Sequence, residues 1–266
     1  MIRLVLNKSI EEYKNNIKVA FSYGILFIFV ILFLFFNQFF LSSGTVHLIY
    51  NESIITIFGL LLGLIFLYFF SFFVSLTVYS TKRDVQRMDF DIYWNVLLKN
   101  VSVKIFVFYF FLSLLIYTIL LLGLYFNFLL ISSLISLIIS SLLMYVPQSI
   151  VLDEKKLFFA IKESLLFWKN NFLLSIIIIF LGAIILSLII LIEFALELLF
   201  LPGVIVSFVL VLIFLVPFIE QLKSYAFVLK FNLIKQSEVL SAQVKPKKIV
   251  KINAIRLREK SKNGKI

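Results

Sequence analysis

Glu52, Glu193 and Glu197 are the acidic residues best placed to assemble a cation site in a chain with very few charges. Glu193 and Glu197 are one helical turn apart, so their carboxylates share a face that could hold a cation or a substrate amine. Ser132, Ser136 and Ser140 repeat at four-residue spacing and draw one hydroxyl stripe over two helical turns. Such a stripe serves either as a seam for close helix packing or as the polar lining of a path for a small hydroxylated or lipid ligand. Gly59 and Gly63 have the same spacing, as do Ala20/Gly24, Ala183/Ser187 and Gly203/Ser207. His47 is the one histidine and there is no cysteine. Thiol chemistry, a cysteine-bound metal and a His-based acid–base pair are therefore not expected, and no cofactor is. Lys245, Lys247, Lys248, Lys251, Arg256 and Arg258 lie in a polybasic run suited to anionic lipid headgroups, each cation contributing about 1 kcal/mol near such a surface. No stacking aromatics accompany the run, so a nucleic-acid partner is not expected.

The elements that position these residues follow from where charge is missing. Of 266 residues, 62% are hydrophobic and 15% charged, against roughly a quarter charged in a soluble domain. Uncharged stretches cover Val19–Asn51, Ser53–Thr81, Ile105–Leu152, Asn170–Ile192 and Leu198–Ile219. A spanning helix needs about 20 apolar residues, so four stretches each hold one span. The third is long enough for two, with Gly123-Leu-Tyr-Phe-Asn127 as its turn. The spacing predicts six spans, at 19–41, 54–79, 104–125, 128–150, 172–195 and 203–222. The stretches are solidly apolar instead of alternating, which excludes a β-barrel.

Lys and Arg occur only before the first span, between spans two and three, between spans four and five, and from Lys223 onward. The connections Leu41–Ser53, Tyr125–Phe128 and Leu196–Pro202 have none. By the positive-inside rule, both termini are expected in the cytoplasm of a multi-pass cell-membrane protein. No cleaved signal peptide is expected, since a patterned segment precedes a first span longer than a signal core. Glu193 is 24 residues past Lys169, about 36 Å along a helix, which places it with Glu197 and Glu52 at the outer surface. Glu220 and Lys223, three residues apart, are expected to pair on a helix face.

The basic segments resemble one another. Ser9-Ile-Glu-Glu-Tyr-Lys-Asn-Asn-Ile17 aligns without gaps on Ser164-Leu-Leu-Phe-Trp-Lys-Asn-Asn-Phe172. Leu97-Leu-Lys-Asn100 aligns on Phe167-Trp-Lys-Asn170, and the same offset sets Val146-Pro147 on Val216-Pro217. Three approximate repeats (1–80, 84–150 and 153–222) follow, each an amphipathic segment leading into a membrane hairpin. The apolar positions of these segments are Leu6/Ile10/Tyr13/Ile17, Val85/Met88/Ile92/Val96 and Leu157/Phe158/Ile161/Leu165/Trp168. They predict interfacial helices, with docking on a cytoplasmic partner as the other use of such a face. Pro147 and Pro217 are expected to mark where a span gives way to the following segment.

Pro147-Gln-Ser-Ile-Val-Leu-Asp153-Glu154, then Ala160-Ile-Lys-Glu-Ser164 and Lys169-Asn170-Asn171, gives the chain a likeness. It resembles a group of uncharacterised prokaryotic, often archaeal, six-span membrane proteins. That group is similar to the membrane domain fused to some glycerophosphodiester phosphodiesterases. The likeness covers about residues 1–235 and implies fold and membrane location. It brings no phosphodiesterase chemistry, which belongs to a soluble domain not seen in this sequence.

The expectation is thus an all-α polytopic membrane protein: a domain over 1–235, six transmembrane helices as three hairpins, each preceded by an amphipathic interfacial helix, and a basic tail over 236–266. Two roles fit. One is a non-enzymatic membrane-organising or accessory protein whose partners are anionic inner-leaflet lipids and a cytoplasmic or membrane protein. The alternative is a permease or channel subunit for a small or lipophilic solute. An enzyme is not expected, for want of an acid, base or metal set.

Overall fold

The structure is a computed structural model that describes residues 2–36, 39–42, 45–48, 54–86, 100–199 and 203–229. The chain divides into a unit of residues 1–227 and one of 228–266. Of the latter only residues 228 and 229 are described. The fold is helical apart from one short hairpin. Five helices are long and apolar enough to cross a membrane: Gly59–Arg83, Ser102–Tyr125, Leu129–Leu152, Phe172–Leu198 and Gly203–Val228. They match predicted spans two to six within a few residues at most ends, the second, fifth and sixth running further toward the C-terminus.

In chain order, α1 (Ile2–Asn15) is followed by α2 (Ile17–Ser22), a 3-10 turn (Tyr23–Ile25) and α3 (Leu26–Phe36). Here the first predicted span is broken by the 3-10 turn at its buried Tyr23, and the helical run stops at Phe36 instead of residue 41. Strands β1 (Phe39–Ser42) and β2 (Thr45–Leu48) then pair antiparallel, Phe39 with Leu48 and Ser42 with Thr45. The described residues are otherwise helical, as expected of an all-α chain. Phe39, Phe40, Thr45 and Val46 favour extended backbone, and Ser43-Gly44 between them is a two-residue loop sequence.

Next come α4 (Ile54–Gln86), α5 (Ser102–Tyr125), α6 (Leu129–Leu142), α7 (Val146–Leu152), α8 (Leu157–Asn170), α9 (Phe172–Leu198), α10 (Gly203–Leu210), a π-helical turn (Val211–Leu215) and α11 (Val216–Leu229). The middle amphipathic segment is not seen as such: α4 runs on through Val85 to Gln86, and residues 87–99 lie outside the described part.

The turn at Asn127 forms where the sequence places it. Asn127 adopts φ 59°, Phe128 N–H donates to Gly123 O at 2.8 Å, and Asn127 N–H donates to Leu124 O at 3.2 Å. These are the two bonds of a Schellman cap, with asparagine in the left-handed position. α5 and α6 leave it packed side by side, as α4 packs on α5, and α9 on α10.

One apolar cluster joins Val74, Val78, Tyr79, Ile105, Phe108, Val146, Ile150 and Ala160. A second joins Tyr23, Leu26, Leu62, Phe66, Phe73 and Leu212, so the 3-10 turn, α3, α4 and the π turn meet there. α5, α6 and α9 bury little: Leu130, Phe111, Phe180 and Leu191 are all exposed. Helices apolar on all sides and exposed on most suit hydrocarbon surroundings, where leaving lipid for protein brings such side chains little gain.

The two amphipathic helices carry exposed apolar residues beside buried polar ones. α1 buries Val5, Ser9 and Glu12 and exposes Ile10, with Asn16 buried and Ile17 exposed just beyond it. α8 buries Ala160, Glu163, Ser164 and Phe167 and exposes Phe158 (76%), Phe159, Leu165 and Leu166. Of the apolar stripes read from periodicity, Ile10, Ile17, Phe158 and Leu165 are exposed, while Leu6, Tyr13, Leu157, Ile161 and Trp168 are half-buried.

Candidate functional site

Polar residues concentrate at one end of the bundle, the end from which α5 and α9 start and at which α4 and α11 finish. From Ser71 to Lys82 in α4, Ser71, Ser75, Thr77, Ser80, Thr81 and Lys82 are all buried. Several satisfy themselves within the helix: Ser71 Oγ donates to Leu67 O and Ser75 Oγ to Ser71 O, both at 2.7 Å, and Thr77 Oγ1 to Phe73 O at 3.0 Å. This back-bonding allows a hydroxyl to be buried without a partner on another helix. Thr77 also meets the Tyr23 hydroxyl at 2.9 Å, which ties α4 to the 3-10 turn.

The cluster's centre is Glu220 on α11. Lys223 Nζ donates to Glu220 Oε1 at 2.5 Å and Gln148 Nε2 to Glu220 Oε2 at 2.8 Å. Gln148 is fully buried, while Glu220 and Lys223 are 6% and 7% exposed. The pair expected from i, i+3 spacing forms, but inside the bundle and bridged to α7, not on an open face. Gln148 Oε1 and Gln221 Oε1 are buried without a partner.

Around it lie two proline breaks and their repair. Pro147 is near the start of α7 and separates it from α6 across Leu143–Tyr145. Ser164 of α8 accepts the Tyr145 N–H at 3.3 Å and donates to Leu142 O at 2.8 Å, and Lys223 reaches Met144 O at 3.3 Å. At Pro217, whose ring nitrogen cannot donate to Ile213 O, the helix loosens into the π turn. There the Tyr13 hydroxyl donates to Ile213 O at 3.0 Å. Pro147 thus opens the short helix that follows the break after α6, and Pro217 follows directly on the π turn.

Further ion pairs surround this end. Lys82, buried, donates to Val151 O at 3.1 Å and to Glu154 at 2.7 Å. Glu154 follows the turn after α7 at φ 55°. Arg83 reaches Asn16 Oδ1 at 3.1 Å, and Asn16 in turn donates to Glu12 at 2.5 Å. Ser149 Oγ donates to Glu163 at 2.9 Å, and Glu163 also binds Lys155. That hydrogen bond is the main reason the Lys155 ammonium titrates above the ordinary lysine range, burial opposing it only in part.

The residues singled out from sequence are placed as follows. Ser132 and Ser136 are buried and Ser140 half-buried. Ser132 faces Gly123 so closely that a Cβ there would overlap it, so the hydroxyl stripe begins in the α5–α6 contact. Gly59 is buried and Gly63 half-buried in α4. Glu193 is half-buried and Glu197 exposed at the end of α9, and Gly203 presses against the Glu193 carbonyl and the Glu197 side chain. His47 is in β2, paired with Phe40. Glu52 and the tail cations Lys245, Lys247, Lys248, Lys251, Arg256 and Arg258 lie outside the described residues. Among the described residues, no three His, Asp or Glu come together to hold a metal.

Periodicity misses Gln148, Glu163 and Ser164, because it finds the apolar stripe of a helix and not the polar side chains that meet other helices. Their sequence signal is the run from Pro147 to Ser164, where polar residues follow a proline inside a long apolar stretch. No family of proteins, curated protein or solved structure matches the chain.

Proposed function

We propose that the chain is a six-span cell-membrane protein, both ends cytoplasmic, that organises lipid or a partner protein at the inner surface and catalyses no reaction. The likeness to the six-span prokaryotic group is part of the same proposal. The carrying observation is the orientation of α1 and α8: Ile10, Phe158, Phe159, Leu165 and Leu166 point outward while Glu12, Glu163 and Ser164 point in. An outward apolar stripe on a helix leading into a membrane segment belongs at the headgroup–acyl boundary. Two further features support the reading. α2, the 3-10 turn and α3 run without a gap through residues 17–36, about 30 Å of near-continuous helix and so enough for a sixth crossing. Ser132 is occupied by its contact with Gly123, as in a packing seam.

The absence of cysteine makes each introduced one unique. Spin labels at Ile10→Cys, Phe159→Cys and Leu165→Cys in bilayers should report headgroup depth, with more access to oxygen than to a polar nickel reagent. Labels as open to the nickel reagent as free peptide would end the interfacial reading. The permease alternative rests on the Glu220–Lys223–Gln148 set buried in a candidate span, since ionisable groups at such positions mark solute paths in many membrane proteins. Vesicles containing the chain should nevertheless stay as tight to small solutes as empty ones. A leak abolished by Glu220→Gln would favour the permease.

A further inference from the structure

We infer that the outer face of α8 is a binding site for an anionic phospholipid, with the phosphate at Lys162 beside Lys155 and an acyl chain along Phe159 and Leu166. This rests on the interfacial placement of α8 proposed above and adds to it a defined ligand and position. Lys155, Phe159, Lys162, Glu163 and Leu166 line an open groove of about 240 Å³. Small-molecule pockets usually hold roughly 300–1,000 Å³, so the groove suits a headgroup whose chains lie outside it. Phe159, Lys162 and Leu166 follow helical spacing along one side of α8, and Lys155 joins them from the turn that precedes the helix.

The two lysines differ in state. Lys155 is held in place by Glu163 and also pairs with Asp153 at 3.7 Å. Lys162 is exposed and pairs with no acid among the described residues. A fixed ammonium beside a free one offers a phosphodiester one directed donor and one adaptable donor. Glu163 also lines the groove, but it is largely buried and its Oε2 already accepts from Ser149 and Lys155, so its charge is partnered within the protein. Phe159 is 60% exposed and Leu166 49%, surface that water penalises and an acyl chain covers. A soluble phosphate ester would leave it bare.

Trp168 is six residues past Lys162 on the same helix, about 9 Å along it, and reports on this site once Trp94→Phe removes the only other tryptophan. The full chain is reconstituted in phosphatidylcholine bilayers containing brominated phosphatidylglycerol or, separately, brominated phosphatidylcholine. Trp168 should be quenched by both, with the anionic lipid preferred about fivefold over its bulk share. Lys162→Gln should erase most of that preference, and Lys162→Arg should keep it. Glycerol 3-phosphate at matched ionic strength should leave it unchanged. Equal quenching by the two lipids, or a preference that survives Lys162→Gln, would overturn the site while leaving α8 at the interface. Loss of the preference to glycerol 3-phosphate would make the ligand a free phosphate ester and overturn the lipid assignment. No quenching by either lipid would remove both the site and the interfacial placement.

Discussion

The Tyr13 hydroxyl donates to the carbonyl of Ile213, 200 residues further along the chain. Ile213 is four residues before Pro217, so its carbonyl is the one a regular helix would have given to the missing proline N–H. Phe214 and Phe218 flank the Tyr13 ring edge-on, with centroids at 5.6 and 6.2 Å. α1 is thereby fastened to the last span at its irregular turn.

Tyr13→Phe keeps the ring contacts and orphans the carbonyl. The variant should lose about 1 kcal/mol in unfolding by SDS titration of the detergent-solubilised protein. Burial holds the Tyr13 hydroxyl above the ordinary tyrosine range, so the fold favours its neutral form. That contribution is complete below the unfolded pKa of about 10 and is lost as pH rises through the folded value. The stability gap between wild type and Tyr13→Phe should therefore narrow above about pH 10, and a widening gap would contradict the assignment.

Ser164→Ala removes one acceptor and one donor from the Pro147 break, leaving Tyr145 N–H and Leu142 O without this partner. A loss of about 1–3 kcal/mol is expected in the same titration. Ser133→Ala is the control: its exposed hydroxyl bonds only Leu129 O in its own helix, and its removal should be close to neutral.

Glu220 and Lys223 should behave as a coupled buried pair. Glu220→Leu or Lys223→Met alone strands a charge and should cost about 3–5 kcal/mol. The double variant should be more stable than either single one. Strict additivity in the cycle would mean that the two charges do not interact.

The α5–α6 seam predicts that bulk is not tolerated. Gly123→Leu must displace Ser132, and Ser132/Ser136/Ser140→Leu must push the helices apart. Both should lower the yield of folded protein in detergent while leaving solute flux through reconstituted vesicles unchanged. Altered uptake by folded triple variant would instead assign the stripe to a solute path.

Residues 244–266 carry nine Lys/Arg against one Glu, which predicts a salt-sensitive attachment to anionic lipid. A synthetic peptide of this segment should sediment with phosphatidylglycerol vesicles at low salt. It should be released as ionic strength shortens the Debye length below about 8 Å. Indifference to salt would remove the electrostatic account.

Span positions were readable because a charge-free run of about 20 residues has few stable settings other than lipid. The Asn127 turn was readable for a similar reason, since asparagine between two apolar runs tolerates the left-handed backbone. The break at Tyr23 was not, because its cause is tertiary: the ring packs on Phe73 and its hydroxyl bonds Thr77. The polar contacts of α1 and α8 were not legible either. Periodicity finds the apolar stripe of a helix but not the solvent it meets, and here the polar side turns toward Arg83, Ser149 and Lys155. The Glu220–Lys223 pair was legible from spacing. Its bridge to Gln148, 72 residues earlier, depends on how distant helices pack and leaves no local trace.

Each proline kink is closed by a hydroxyl from another part of the chain, and the two arrive at different times during synthesis. Ser164 is translated within about twenty residues of the backbone it caps, so the kink at Pro147 can be sealed soon after that stretch leaves the ribosome. Tyr13 must wait for 200 further residues before Ile213 exists. α1 can therefore dock only long after it is made, once the stretch with the π turn has followed it out.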